Sequence, residues 1–207
     1  MKLYGMGIAR SARCEWTLRE LGLEAEIVAV NLRAGDHLKP EFLAINPYGK
    51  IPALQDGDLT LVESAAICLH LAEKAPEKGL IPAVGTPERA LFYQWVFTTV
   101  TDLEQPIWRA TKHSMLYPEA KRLAADIELA RAEFNKMAKV AEEMIGTRQF
   151  VVGDHFTVAD ILLAYTLDWS SVFGWLEEFP GLKAYAERHY QRPNAPMGMK
   201  EYFAANR

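Results

Sequence analysis

The residue types able to do chemistry in this 207-residue chain gather in two short stretches. Asn46 to Leu54 reads Asn-Pro-Tyr-Gly-Lys-Ile-Pro-Ala-Leu, a turn followed by an apolar residue and a proline. Proline donates no N–H and cannot sit as an ordinary residue inside a sheet ladder. Pro52 therefore either opens an edge strand or follows a cis Ile51–Pro52 peptide that presents the backbone groups of Ile51 outward. Glu63 and Ser64 follow where a helical pattern begins. They either cap that helix or face a small site between the two stretches. Other reactive types stand apart. Cys14 and Cys68 make no Cys-x-x-Cys pair, so neither a disulfide framework nor a zinc site is indicated. His70, His113, His155 and His189 have no spacing partner for metal or triad work.

Two kinds of folding pattern position these stretches. The first 76 residues alternate strand and helix signals: a strand over 2–5, a helix from Arg10 stopped by Gly22, a β-branched strand over Glu26–Val30 and a short helix within Lys39–Ile45. Strands at Ala53–Gln55 and Leu59–Val62 are joined by the hairpin signal Asp56-Gly57-Asp58, and a helix covers Ser64–Lys74. That order gives a small α/β layer of four strands with the last two antiparallel. Residues 77–86 are rich in proline and glycine and read as a linker. From 87 to 207 strand signals nearly vanish, and helices are expected over roughly 86–114, 118–145, 157–171 and 180–191. Phe156-Thr157-Val158-Ala159-Asp160-Ile161 carries a capping box and a hydrophobic staple, with Asp160 in a structural role.

Composition excludes several function classes. Half of the residues are hydrophobic and 24% are charged, ample for a buried core, and the net charge of -4 is shared between both halves. No basic patch marks a nucleic-acid binder, and neither a signal peptide nor a membrane span is expected, so the reading is a soluble, cytoplasmic protein.

Taken in order, Met1–Tyr4, the Arg13…Leu18-Arg19-Glu20-Leu21-Gly22-Leu23 helix, Gly35–Phe42, Asn46–Leu54, Glu63–Ile67 and the Gly153…Asp160 box resemble the cytosolic glutathione S-transferase superfamily. The resemblance covers essentially the whole chain and reads as bacterial, serine-type or unclassified. It implies a thioredoxin-like N-terminal domain followed by an all-helical C-terminal domain. The activity it implies is glutathione conjugation to small hydrophobic electrophiles, with glutathione as cosubstrate, no metal or other cofactor, and a homodimer as the assembly. Ile51, before the cis Pro52, would pair with the cysteinyl backbone of glutathione, a strand-addition contact. Glu63 and Ser64 would take the γ-glutamyl end, where a helix N-terminus favours a carboxylate. His37 and Lys50 would meet the glycyl carboxylate, with Lys39 as a solvated neighbour.

The loop that activates the thiol in this family departs from the common pattern here. It reads Gly5-Met6-Gly7-Ile8-Ala9-Arg10-Ser11-Ala12-Arg13. The serine of serine-type members falls on Ala9 and the cysteine of cysteine-type members on Arg10. Ser11, the nearest hydroxyl at the helix start, is expected to donate to the sulfur, although it would equally serve as a helix cap. Arg10 is the alternative, since a fixed cation favours thiolate. Cys14 is expected to be buried and inert. The resemblance puts the electrophile between the domains, against Phe92, Trp95, Thr99, Trp108 and Arg109, with Tyr165 or Trp169 behind, and Arg109 holding an anionic group. Asp102 or Gln105 would reach a neighbouring subunit's γ-glutamyl amine. Rival readings on the same fold are a glutathione-dependent isomerase, dehalogenase or reductase, or a non-catalytic interaction protein.

Overall fold

A computed structural model describes residues 1–205. The chain forms two compact units, one made of Met1–Ile81 together with the chain from Arg192 onward, the other of Pro82–Gln191.

In the first unit, β1 (Lys2–Gly5) leads to α1 (Ser11–Leu21), β2 (Glu26–Ala29), the single turn α2 (Pro40–Leu43), β3 (Ala53–Asp56), β4 (Leu59–Val62) and α3 (Ser64–Lys74). The sheet order is β2-β1-β3-β4. β1 and β2 are parallel, as a helical crossover requires, whereas β3 runs antiparallel to both β1 and β4. This is the thioredoxin-like arrangement. α1 ends where expected because Gly22 adopts φ 68 and its N–H reaches the carbonyls of Leu18 and Arg19. Leu3, Trp16, Leu54, Ile67 and Leu71 are fully buried and form the core of this layer.

The second unit is all helical among the described residues: α4 (Pro87–Thr98), α5 (Glu104–Thr111), α6 (Ala124–Ile145), α7 (Val158–Ser171) and α8 (Pro180–Tyr190). The single helix expected over 86–114 is instead interrupted by a wide π turn at Thr99–Leu103 and ends in another at Lys112–Leu116. Pro106 lies just inside α5 and offers no N–H to the preceding turn, so the backbone widens there. α6 begins at Ala124, later than the expected 118. His113 Nδ1 takes the Leu123 N–H at 3.2 Å and holds that residue extended. The capping box of α7 forms as read, with Asp160 accepting from Thr157 N–H, Thr157 Oγ1 and Val151 N–H at 2.8 Å each and from Tyr185 Oη at 2.5 Å.

The tail departs from the expected 87–207 helical domain. Arg192 donates Nε and Nη2 to the Glu20 carboxylate on α1 at 2.8 and 2.9 Å, and α9 (Met199–Ala205) belongs to the first unit. The stretch read as a 77–86 linker also divides. Leu80 and Ile81 are buried, and the boundary between units falls at Ile81/Pro82. Among the described residues no helix is long and apolar enough to cross a membrane, and no three metal-ligating side chains cluster.

Candidate functional site

Strand register gathers the site. Tyr4 pairs with Ala53, and Ala53 pairs with Val62. Three connections therefore start at one end of the sheet: the loop from Gly5 to Arg10, the Ile51–Pro52 peptide and the Glu63-Ser64 entry into α3.

The Ile51–Pro52 peptide is cis. Ile51 precedes the β3 ladder and makes no backbone hydrogen bond among the described residues, so its N–H and C=O are unpaired there. The turn before it is closed by the buried Asn46, whose Nδ2 donates to Lys50 O at 2.5 Å and whose Oδ1 accepts from Tyr48 N–H at 3.1 Å. Gly49 adopts φ 59, and a Cβ there would lie 3.2 Å from the His37 carbonyl. Only glycine meets both demands, and its close approach brings His37 against the turn. His37 Nδ1 is buried with no partner, an orphan in need of a ligand or water. Lys50 is exposed and has no ion-pair partner among the described residues.

Glu63 is the one non-glycine residue with positive φ among the described residues, at φ 70 and ψ 114. A left-handed glutamate carries a cost on the order of 1–3 kcal/mol, and such strain concentrates at ligand clamps. The conformation leaves the Glu63 side chain exposed and the first turn of α3 without a side-chain cap or an acidic residue. A helix start in that state favours an anion. Ser64, next in line, is buried, and its Oγ accepts from Arg13 Nη1 at 3.2 Å. Arg13, quoted in the sequence only as the start of the family-like helix and given no role there, holds the Ser64 hydroxyl from α1. Its signal is a cation on the apolar face of α1, where charge is costly without a purpose.

Ser11 corrects an expectation. Its side chain is fully buried, its Oγ accepts from Met6 N–H at 2.9 Å, and its single proton goes to Met6 O at 2.6 Å. A Cβ on Gly5 would lie 2.3 Å from Ser11 Cβ, so the two residues interlock. With its proton committed, Ser11 fastens the loop and is not aimed at a sulfur. The residue flanking the start of α1 is Arg10, which lacks a side-chain cap and is followed by a first turn free of acidic residues. Ala9 supplies no hydroxyl. Tyr4 Oη is likewise occupied, donating to Gln55 at 2.7 Å.

In the helical unit, Phe92, Trp95, Thr99 and Tyr165 are buried in the core, while Trp108 is half-buried with its ring edge-on to Trp169 at 6.2 Å. Asp102 and Gln105 are exposed. Arg109 does not offer the open cation expected of it. Nη2 meets Asp126 and Nη1 meets Glu133, each at 2.5 Å. These bonds hold Asp126 below the usual carboxylate range and raise the guanidinium pKa further.

Comparison with known proteins matches residues 1–73 to the glutathione S-transferase N-terminal domain and 104–193 to the glutathione S-transferase C-terminal domain. Glutathione S-transferase F13 of Arabidopsis thaliana is 35% identical over 202 residues, covering 93% of this chain and 92% of the relative. The crystal structure of glutathione transferase F7 from Populus trichocarpa superimposes with a TM-score of 0.84 at 29% identity, over 93% of this chain and 94% of that one. A sphingomonad glutathione S-transferase complexed with glutathione gives 0.82 at 29% identity, over 94% and 95%. By its fold, its two matched domains and its identity to these relatives, the chain belongs to the glutathione S-transferase family.

Proposed function

We propose that the first unit binds glutathione, lowers the pKa of its thiol and presents the thiolate to a small hydrophobic electrophile. The observation that carries this reading is the strained, exposed Glu63 beside buried Ser64, at the sheet end that also holds the unpaired backbone of Ile51. Family membership and the glutathione in the sphingomonad relative support the same ligand. In this reading, Ile51 N–H and C=O pair with the cysteinyl peptide. Ser64 Oγ and the α3 amides take the γ-glutamyl carboxylate, and Glu63 takes the γ-amine. The orphaned His37 Nδ1 and the exposed Lys50 meet the glycyl carboxylate. The zwitterionic γ-glutamyl end and the anionic glycyl end each find a complementary group, which fixes the direction of the tripeptide along the sheet edge.

The sulfur then falls near the start of α1, where Arg10 and the positive end of the helix favour its charged form. A free thiol near pKa 8.5 is mostly protonated at neutral pH, and each unit of depression is worth about 1.4 kcal/mol. The thiolate forms a C–S bond with the electrophile, whose leaving group departs with the bonding pair. Trp108, half-buried, is retained as the apolar candidate for the electrophile, whereas Trp95 is taken up by the core, and the reading extends to a cytoplasmic homodimer. Arg109, already doubly paired, is not given a substrate role.

Retention on immobilised glutathione and conjugation of an aryl halide test the proposal. Wild type is expected to bind and turn over. Arg10→Ala should bind within about twofold of wild type while the pKa of the bound thiol, read from thiolate absorbance, rises by about one unit. An unchanged thiol pKa in that variant removes Arg10 from the mechanism. Binding without turnover across a panel of electrophiles favours the non-catalytic reading that Ala9 raises.

A further inference from the structure

Below Ser64 lies a pair of groups that the proposed chemistry does not use. Cys14 on α1 and Cys68 on α3 are both fully buried, with their sulfurs 3.9 Å apart. Cys14 Sγ also donates to the Ser64 carbonyl at 3.7 Å. Its neighbour Arg13 donates to the Ser64 hydroxyl at 3.2 Å, so consecutive residues of α1 hold Ser64 from two sides. We infer that Cys14 and Cys68 are a redox-modification site, in which a small peroxide converts them to an intramolecular α1–α3 disulfide that loosens the hold on Ser64. The consequence for ligand binding rests on the reading of Ser64 as a glutathione contact.

The chemistry balances with hydrogen peroxide as oxidant. The Cys68 thiolate attacks one peroxide oxygen, the O–O bond breaks, and the released hydroxide takes a proton to leave as water. Cys14 sulfur then attacks the Cys68 sulfenic sulfur and loses its proton, and a second water departs. Two thiols supply two electrons, and the peroxide accepts both. The order of attack follows from the surroundings. Burial pushes the Cys68 thiol up, but its side-chain interactions with Cys14 and Thr17 and the nearby Arg13 charge bring it below its ordinary value. Burial and the Cys68 neighbour push Cys14 well above its own. Peroxide is small enough to reach a buried thiolate during local opening, whereas a glutathione disulfide is not. To bond, the sulfurs must close to about 2.05 Å. That movement removes the S–H donor from the Ser64 carbonyl, so one of the two α1 contacts that hold Ser64 is lost.

The experiment compares full-length protein reduced with a phosphine and oxidised with hydrogen peroxide. Intact mass and peptide mapping are expected to show loss of two hydrogens and a Cys14–Cys68 linked peptide, reversed by dithiothreitol. Affinity for S-methylglutathione, which has no thiol to reduce the bond, is expected to fall about tenfold in the oxidised form, the worth of one hydrogen bond. Cys68→Ala, checked for folding by circular dichroism, should keep its affinity after peroxide. Added oxygen atoms, a crosslink between two chains or an unchanged mass overturns the disulfide. A crosslink with unchanged affinity overturns its link to Ser64. If the reduced protein itself fails to bind S-methylglutathione, the glutathione reading of Ser64 and the regulatory claim fall together, while the crosslink is still judged by mass.

Discussion

Glu63 and Ser11 show how far a residue's type predicts its work. Glu63-Ser64 is visible in the sequence as a carboxylate and hydroxyl at a helix start, but the left-handed φ of Glu63 is not, because tertiary contacts impose it. Glu63→Gly relieves that strain and should stabilise the fold by roughly 1 kcal/mol, while the KM for glutathione rises, since the γ-amine loses its carboxylate. A variant with raised stability and an unchanged KM would dissociate Glu63 from the ligand. The sequence allows Ser11 to be a thiol donor or a cap because a serine at a helix start has several partners within reach. Which one wins depends on the path of the Gly5–Arg10 loop, which spacing does not encode. Ser11→Ala leaves the Met6 N–H without its partner, while the Met6 carbonyl keeps the Ala9 N–H, and is expected to cost about 1–2 kcal/mol in urea unfolding, with the pKa of the bound thiol unmoved.

At the level of elements, patterns that are local in sequence were legible and those set by distant partners were not. The Asp56-Gly57-Asp58 hairpin, the Gly22 helix stop and the Thr157–Asp160 box depend on residues within one turn of each other, and all three form. The late start of α6 depends on His113, ten positions before Leu123, and no local rule anticipates it. Asp160 illustrates the same boundary within one side chain. Its bonds to Thr157 follow from the box, whereas those from Val151 N–H and Tyr185 Oη come from elsewhere in the unit. Asp160→Ala strands all of these buried donors and should cost about 3 kcal/mol or more. Asp160→Asn, which keeps an acceptor oxygen, should cost less. Equal losses in chemical unfolding would show that the donor network is not what the carboxylate supports.

For the whole molecule, the course of the tail was the least legible feature. Glu20 is an ordinary helix residue in the sequence, yet it accepts from Trp16 Nε1 at 3.0 Å, from Arg192 and from Asn194 at 3.4 Å. Burial raises its pKa, but these donors outweigh burial and hold it below 4.5. Because the folded value is the lower one, the stabilisation is fully present above about 4.5 and disappears as pH falls through the folded value. The stability advantage of wild type over Glu20→Gln should therefore be constant near neutrality and shrink below that pH. An advantage that persists in acid would mean that the tail is held by packing alone.

The interlock of Gly5 with Ser11 makes the order of sequence change matter. Alanine at position 5 collides with Ser11 Cβ and Oγ, at 2.3 and 2.7 Å, while the next atom, Ser11 Cα, is 3.8 Å away. Ser11→Gly clears the space first, and Gly5→Ala then meets only ordinary contact. The double variant should melt higher than Gly5→Ala alone, a sign epistasis that leaves one passable route between these two loop sequences and blocks the other at its first step.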